Sequence, residues 1–188
     1  MYKLVKIDYG EKTALRSIKY MLIYPVSFIL SGAFTESTFL ALLLASFYFA
    51  KTNKWHYTGI AGFFLALTRS LGVFAVIPLF YIYLKNKNFE FKKINKSWLS
   101  VLWLGLIPLG LGVWMWYNHH LTGDYLAFAH IQEAWKREYG NPIRILYEGL
   151  INPHLHIFVQ AAAALIVLLL INIYIKKIGF AYWLLGMY

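Results

Sequence analysis

The sequence contains no cysteine, which excludes disulfide bonds and thiolate metal sites. Acidic residues are also scarce, at eight against 18 lysines and arginines, and the formal net charge is +10. In a soluble protein that excess would suggest a nucleic-acid partner. Here the cations lie between apolar stretches, where they are interpreted as topology signals facing anionic lipid headgroups, so no nucleic acid is expected. A glycine-rich phosphate loop, a Ser/His/Asp order and a hydrolase elbow are also absent from the sequence.

Apolar residues dominate what is present: 60% of the chain is hydrophobic, and the mean hydropathy is +0.55. Because a helix needs about 20 apolar residues to cross a bilayer, the repeated apolar stretches predict membrane spans. Residues 1–188 are therefore interpreted as a single all-α, polytopic transmembrane domain with six to seven spans. Several stretches are short, so some helices must be tilted, broken or end beside a cavity. The predicted spans are Ile18–Ala33, Ser37–Ala50, Trp55–Leu67, Leu71–Leu84, Trp98–Asn118, His156–Ile175 and a seventh that begins near Gly179.

The distribution of charge predicts the orientation of these spans. With a cytoplasmic N-terminus, 14 of the 18 lysines and arginines lie on the cytoplasmic face, which agrees with the positive-inside rule. The other face then holds Glu36, Arg69 and a long loop, residues 119–155. Five of the eight acidic residues and four of the six histidines lie on that face. The sequence therefore predicts a multi-pass membrane protein with its polar chemistry on the extracytoplasmic side.

The long loop contains a predicted helix of its own, Asp124–Tyr139. Gly123 and Asp124 are typical of a helix N-cap, and Gly140–Pro142 is typical of a stop. Capping alone also explains Asp124. Apolar residues recur at helical spacing, which suits a helix lying at the headgroup level of the membrane. These residues are Tyr125, Phe128, Ile131 and Trp135.

Arg69 lies between two apolar runs and has no acidic residue nearby in the sequence. An arginine at that depth is costly unless it pairs with an anion or reaches water. Two interpretations stay open. In the structural one, Arg69 reaches the outer headgroups or forms an ion pair with Glu36. In the functional one, its planar guanidinium binds a phosphate group, because the fork of donors matches phosphate oxygens.

Glu36 lies at the start of the second predicted span, where the helix dipole favours a carboxylate and Thr35 can act as a cap. Its functional alternative is to orient an acceptor hydroxyl or to hold Arg69. The loop histidines lack the spacing of metal ligands and are interpreted as interfacial residues, so no metal site is expected. They are His119, His120 and His130.

Three parts of the sequence carry a family resemblance. They are Tyr24–Leu30 with Phe34–Phe39, Gly62–Gly72 with Pro78, and Gly123–Gln132 with Trp135. Taken together and in this order, they resemble the PIG-V-like family of integral membrane mannosyltransferases, which have the GT-C architecture. The similarity spans about Leu4–Trp135, and the three parts share one predicted membrane face.

The resemblance implies transfer of a hexose, with mannose as the expected sugar, from a polyprenyl-phosphate donor to a glycan or glycolipid acceptor. Such chemistry needs a carboxylate near the acceptor hydroxyl and cations beside the departing phosphate. On this resemblance, Glu36 and Asp124 are the candidate catalytic residues. No cofactor is implied apart from the lipid-linked sugar. The residues implied around the donor and its phosphate are Arg69, Thr35, Thr68, His130, Gln132 and Trp135.

The sequence departs from this family at its N-terminal end. Family members have an earlier transmembrane helix and a first extracytoplasmic loop with an acidic residue, and no such segment precedes Met1. The chain is therefore expected to be a fragment that lacks turnover on its own. Two other classes stay open: a transporter or flippase subunit, with polar groups near the membrane midplane, and a scaffolding subunit without a site.

Overall fold

A computed structural model of the protein describes residues 1–24, 27–32, 34–90, 98–134 and 140–186. Within these ranges the regular structure is helical and no strand is present, so the prediction of an all-α fold is confirmed. The chain divides into two compact units, Met1–Met115 and Trp116–Tyr188. The boundary between the units falls inside a long helix.

The helices of the first unit are α1 (Tyr2–Ile23), α2 (Thr35–Lys51), α3 (Trp55–Thr68), α4 (Val76–Asn86), α5 (Trp98–Leu104) and the first part of α6 (Leu106–Thr122). Two 3₁₀ helices, Ser27–Leu30 and Ser70–Ala75, connect them. α2 and α3 pack against each other as an antiparallel pair. Their short turn contains Asn53, whose φ of 58° is a left-handed conformation that asparagine tolerates.

The first predicted span, Ile18–Ala33, is wrong as a continuous helix, because α1 begins and ends earlier. Tyr24, directly after α1, is extended with φ −58° and ψ 131°. It precedes Pro25 in the sequence, and the ring of a proline excludes the helical region for the residue before it. Gly10 interrupts α1 with a positive φ of 79°. The segment before Ile18, predicted as a cytoplasmic tail, is therefore part of a kinked helix.

The second and third predicted spans are confirmed as helices α2 and α3, which extend the predicted ranges by one or two residues. The fourth, Leu71–Leu84, is not a single α-helix, because a 3₁₀ helix precedes α4. Pro78 lies in the first turn of α4. Its missing N–H costs no helical hydrogen bond there, whereas further inside an α-helix it would.

Glycines let the helices of the first unit approach one another closely. A Cβ atom on Gly59 of α3 would lie 2.2 Å from the carbonyl oxygen of Trp103 in α5. A Cβ atom on Gly110 of α6 would lie 2.4 Å from the carbonyl oxygen of Phe63 in α3. Close backbone approach through small residues is typical of helices that pack within lipid. The largest fully buried apolar side chains in this unit are Phe47, Leu65, Leu79, Tyr83, Leu104 and Ile107.

The second unit contains the end of α6 and then α7 (Ala127–Ala134), α8 (Pro142–Leu150), α9 (Leu155–Ile173), α10 (Ile175–Ile178) and α11 (Phe180–Gly186). α8 packs against α9, and α11 packs against α10 and the end of α9. The fifth, sixth and seventh predicted spans correspond to α5 with α6, to α9 and to α11. Each of these predictions located a helix correctly.

The loop between α6 and α9 contains two helices where the sequence predicted one. The predicted helix Asp124–Tyr139 begins later than expected, since α7 starts at Ala127. Residues 135–139 lie outside the part of the chain that the structure describes.

Gly140–Pro142, predicted as a stop, also contains the start of a helix that the sequence did not predict, because α8 begins at Pro142. Asn141 caps this helix: its side-chain oxygen accepts the N–H of Ile143 at 2.9 Å. Proline is favoured at the first helical position, where its N–H would have no partner in any case.

In the part of the chain that the structure describes, two helical stretches are long and apolar enough to cross a membrane. They are Leu99–Thr122, with 24 residues and a mean hydropathy of 1.7, and Leu155–Ile173, with 19 residues and a mean hydropathy of 2.3. No residue of α9 is buried, and most of its side chains are exposed. This finding supports membrane association, whereas a bundle of six to seven spans stays a prediction.

Candidate functional site

Glu36 and Arg69 meet at one end of the first unit. Glu36 lies in the first turn of α2 and Arg69 directly follows α3, so the antiparallel packing brings them together. Nη1 of Arg69 donates a hydrogen bond to Oε1 of Glu36 at 2.9 Å. The two side chains keep 42% and 38% of their surface exposed. The ion pair anticipated from the sequence is present, while the chemical roles of both residues stay predictions.

The backbone around Arg69 forms a tight reversal. Arg69 is extended, with φ −150° and ψ 136°. Its N–H donates to the carbonyl oxygen of Leu65 at 3.3 Å, and its own carbonyl oxygen accepts the N–H of Gly72 at 2.8 Å. A Cβ atom on Gly72 would lie 2.5 Å from the Leu65 oxygen, so the reversal requires glycine there. These contacts fix the point at which Arg69 leaves α3.

Two threonines, Thr35 and Thr68, were expected to line this site. Thr35 is the first residue of α2, and Phe34 is the cap residue, without a side-chain cap hydrogen bond. The capping role anticipated for Thr35 is therefore wrong. Oγ1 of Thr68 donates to the carbonyl oxygen of Phe64 at 2.8 Å, which holds the hydroxyl against its own helix.

A mostly apolar groove of about 610 Å³, called here the α2 groove, lies along α2. Its lining along α2 begins at Ser37, the residue after Glu36, and continues to Phe49. That distance is about 18 Å at about 1.5 Å per helical residue. The other wall comes from both ends of α1 and from the first 3₁₀ helix. Further lining residues are Met1, Tyr2, Lys3, Leu4, Met21, Leu30, Leu40, Ala41, Leu44, Ala45 and Tyr48.

In the second unit, Asp124 holds His130 and the start of α7 at the same time. Its Oδ2 lies 2.6 Å from Nδ1 of His130, and its Oδ1 accepts the N–H of Leu126 at 2.9 Å. The Leu126 N–H, followed by the His130 side chain, holds the pKa of Asp124 below its ordinary value. The capping role anticipated for Asp124 is thus compatible with a second role, because each uses a different oxygen.

The other two loop histidines stack on aromatic rings. The ring centroids of His119 and Tyr125 are 4.0 Å apart, and those of His120 and Trp116 are 6.0 Å apart. Flat contacts of this kind suit side chains in the membrane interface. Among the described residues, no cluster of three or more His, Cys, Asp or Glu side chains could hold a metal ion.

The remaining predicted site residues belong to α7 and the residues after it. Gln132 donates from Nε2 to the carbonyl oxygen of Phe128 at 3.5 Å, so this contact runs along its own helix. Trp135 lies outside the described residues. Arg69 and Glu36 belong to the first unit, and Asp124, His130 and Gln132 belong to the second.

Two features of the site were missed in the sequence. The Asp124–His130 contact joins residues six apart, which is not a helical spacing, and only the Gly123–Asp124 turn signal pointed to an unusual backbone there. The second is α8, which has a visible signal: Asn141 and Pro142 at its start, and an Arg144–Glu148 pair four residues apart.

Comparison of the chain with models of known protein families, with curated proteins and with solved structures gives no match. The contacts of the residues described above and the three sequence segments that resemble the PIG-V-like family are therefore the grounds for a function.

Proposed function

We propose that this chain carries the donor side of a polytopic membrane glycosyltransferase. The enzyme would move a hexose, with mannose as the expected sugar, from a polyprenyl phosphate to a hydroxyl of a glycan or glycolipid acceptor on the extracytoplasmic or luminal face. The observation that carries the proposal is the Arg69–Glu36 ion pair, partly exposed at the start of α2, where the lining of the α2 groove begins one residue later at Ser37.

Arg69 offers the chemistry that a lipid phosphate requires. Its guanidinium has five N–H donors in one plane, and Nη1 is engaged by Glu36. The carboxylate orients the plane, and the exposed edge can bind two phosphate oxygens at once. As the sugar departs, negative charge grows on the phosphate, and a fixed guanidinium stabilises that charge. Lysine lacks the planar fork, so it should be a poor substitute.

In this proposal Glu36 is a positioning residue for Arg69. Its Oε1 already accepts a guanidinium N–H, which makes that oxygen less available to accept the proton of a sugar hydroxyl. The helix dipole also favours a carboxylate in the first turn of α2. The catalytic role that the resemblance implied for Glu36 is therefore the weaker of its two interpretations.

The α2 groove supports a lipid-linked donor rather than a soluble nucleotide sugar. Its lining is mostly aliphatic and it runs lengthwise along α2, starting one residue after Glu36. An isoprenoid chain buries apolar surface favourably in such a groove, at about 25 cal/mol per Å². A donor whose phosphate is held by Arg69 could place part of its chain there.

The proposed orientation follows the charges at the two ends of α2. Glu36 lies at its start, and Lys51 is its last residue. Nζ of Lys51 lies 2.8 Å from Oδ1 of Asp8, and the neighbouring turn brings Lys54 to the same end. We propose that this lysine-rich end is cytoplasmic and that the Arg69–Glu36 end is extracytoplasmic.

The positions of the polar groups favour an enzyme over a transporter. Within α2 and α3, the charged side chains lie in the first or last turn or just beyond the helix ends. The buried hydroxyls farther inside are those of Ser46 and Thr58. Both donate to carbonyl oxygens of the preceding turn, Ser46 at 2.7 Å and Thr58 at 3.2 Å. A transport path would instead need polar groups near the midplane that face a substrate.

Donor binding tests this proposal directly. The protein in lipid nanodiscs should bind polyprenyl-phosphate mannose, and Arg69→Lys should weaken binding about tenfold or more because the planar fork is lost. Arg144→Lys is the matched control, since Arg144 also forms an arginine–glutamate ion pair, at 2.6 Å, in the other unit. Equal affinity of the wild type and Arg69→Lys for this donor would contradict the phosphate clamp. Tighter binding of a nucleotide sugar than of the lipid-linked one would contradict the donor class.

A further inference from the structure

The last three helices of the second unit form a sharp corner at the C-terminal end of α9. Gly179 separates α10 from α11 and has a positive φ of 87°, a conformation that favours glycine. α11 then packs against α9, and a Cβ atom on Gly186 would lie 2.7 Å from Cδ1 of Ile171. The single turn of α10 therefore lies at the point where the chain changes direction.

A side-chain hydrogen bond holds Trp183 at this corner. Its Nε1 donates to Oδ1 of Asn172 at 3.2 Å, and Nδ2 of Asn172 donates to the carbonyl oxygen of Leu168 at 2.8 Å. The amide of Asn172 thus joins the indole of α11 to the backbone of α9. The Trp183 ring also stacks on Phe180, with ring centroids 5.3 Å apart and planes 17° apart. The two aromatic side chains are therefore fixed beside the end of α9.

The two lysines of α10, Lys176 and Lys177, bring positive charge to the corner, and both are exposed. Nζ of Lys177 lies 5.4 Å from the centre of the Tyr174 ring, a cation–π contact that keeps the ammonium group beside the ring. Residues 149–188 contain no acidic side chain. Within the part of the chain that the structure describes, neither lysine forms an ion pair. Both charges are therefore available to an anion from outside the chain.

The length of α9 indicates the depth of this corner in a membrane. Its 19 residues measure about 28 Å, close to the thickness of about 30 Å of the hydrocarbon layer. An α9 that crosses the bilayer therefore has its C-terminal end at the boundary between acyl chains and headgroups. Tryptophan and tyrosine prefer that boundary, and lysine side chains extend from it to the lipid phosphates. The side chains at this level are Tyr174, Lys176, Lys177 and Trp183.

We propose that this corner binds the headgroup of an anionic phospholipid. The ammonium groups of Lys176 and Lys177 contact the lipid phosphate. The rings of Tyr174 and Phe180, which are 44% and 42% exposed, contact the glycerol and the first acyl carbons. These rings favour a lipid over free phosphate, because inorganic phosphate has no apolar part to cover them. The inference is independent of the proposed function, since the residues that carry it all belong to the second unit.

Lipid titration of the protein in detergent micelles tests the site. The wild type should bind a fluorescent phosphatidylglycerol about tenfold or more tightly than a phosphatidylcholine with the same acyl chains. The double variant Lys176→Gln, Lys177→Gln should lose this preference, because each lysine near anionic lipid contributes about fivefold in affinity. Phosphatidylglycerol affinity that is the same in the wild type and the double variant would overturn the proposal. Displacement of the fluorescent lipid by inorganic phosphate alone would overturn it as well, since the site would then bind a free anion.

Two further variants separate a site from general attraction to negative charge. Lys85→Gln with Lys87→Gln is the matched control, because it removes the same charge from the C-terminal end of α4 and should bind phosphatidylglycerol like the wild type. An equal loss of affinity in this control would overturn the proposal. Asn172→Leu removes the acceptor of the Trp183 N–H while both lysines remain, and it should weaken phosphatidylglycerol binding. Wild-type affinity in Asn172→Leu would show that the fixed indole is not part of the site.

Discussion

Oδ1 of Asp8 and Nζ of Lys51 lie 2.8 Å apart, which ties the N-terminal segment of α1, before the kink at Gly10, to the C-terminal end of α2. This end of α2 is opposite to the one that holds Glu36. Gly10, which has a positive φ, lies two residues after Asp8. The kink there separates this N-terminal segment from the rest of α1. The kinked helix, one wall of the α2 groove, is thus anchored by an ion pair at the end of α2 remote from Arg69.

We expect Asp8→Asn to lower the free energy of unfolding by about 0.5–1 kcal/mol, because it removes one partner of this sheltered ion pair. The side chains of Asp8 and Lys51 are 20% and 22% exposed. Glu11→Gln is the control: it breaks the Lys6–Glu11 pair, whose side chains are 48% and 59% exposed, and should change stability less. Titration with a denaturing detergent measures both. A larger loss from Glu11→Gln would show that the Asp8 contact does not anchor α1.

Gly59→Ala should destabilise the first unit by about 1–3 kcal/mol, because the new methyl group would meet the carbonyl oxygen of Trp103 and force α3 and α5 apart. Gly112→Ala is a matched control within α6, where an added Cβ meets nothing within 4 Å. It should be neutral or stabilising, since alanine favours helix over glycine by about 0.5–1 kcal/mol. Thermal unfolding in detergent compares the two. Similar midpoints would rule out the close packing at Gly59.

α8 should lie in the headgroup region of the membrane. Ile143 and Tyr147 are exposed and apolar, while Arg144 and Glu148 form a 2.6 Å ion pair on the polar side. A short helix with such faces buries its apolar side at the boundary between headgroups and acyl chains. An environment-sensitive fluorophore on Ile143→Cys should be quenched by shallow spin-labelled lipids. The same probe on Glu148→Cys should be quenched by aqueous iodide, and equal iodide quenching at both sites would refute the placement.

Acidification should loosen the start of α7. The folded state holds the pKa of Asp124 below its ordinary value of 3.8, so the carboxylate contributes stability that is present above this value. That contribution is lost as the pH falls through the lowered pKa. The protection factor of the Leu126 amide, its exchange rate relative to the intrinsic rate at the same pH, should therefore fall in acid in the wild type. In Asp124→Asn the acceptor does not titrate, and a protection factor that still falls in the same way would assign the effect to another group.

Cysteine labelling should separate the two faces of the membrane. The chain is free of cysteine, so single substitutions report one position each. Lys54→Cys, in the turn after α2, should be protected from an impermeant reagent in intact cells, and Arg144→Cys should react. Both side chains are exposed in the structure, so burial would not explain a difference between them. Labelling of Lys54→Cys from outside would invert the proposed orientation.

Hydrophobic pattern and turn residues were enough to predict α2 and α3, because each is an apolar block that ends at charged or turn-forming residues. The pattern misplaced the first helix for a physical reason. Averaged hydropathy registers the apolar residues on both sides of Pro25, but it does not register that a proline changes the backbone of the residue before it. Averaged hydropathy also misses a polar helix such as the N-terminal segment of α1, whose charged residues face water and one another.

The Arg69–Glu36 contact could be anticipated because two adjacent antiparallel helices bring the start of one beside the end of the other. The Asp124–His130 contact could not. It depends on the φ of 75° at Gly123 and on a side-chain oxygen capturing a backbone N–H, and neither has a periodic signature. The start of α8 was misread because asparagine followed by proline is favoured both after a helix and before one.

If α2 crosses the membrane, as the sequence predicts, its length has a consequence for the lipid around it. Its 17 residues measure about 25 Å, whereas the hydrocarbon layer of a typical bilayer is about 30 Å thick. With charged residues at both ends, an upright α2 would create a hydrophobic mismatch of about 5 Å, and the annular lipids would relieve it by dimpling inward. A phosphate on a long-chain lipid could then reach the depth of Arg69 while still hydrated. The shortness of the helix would itself lower the cost of bringing a charged donor to the guanidinium.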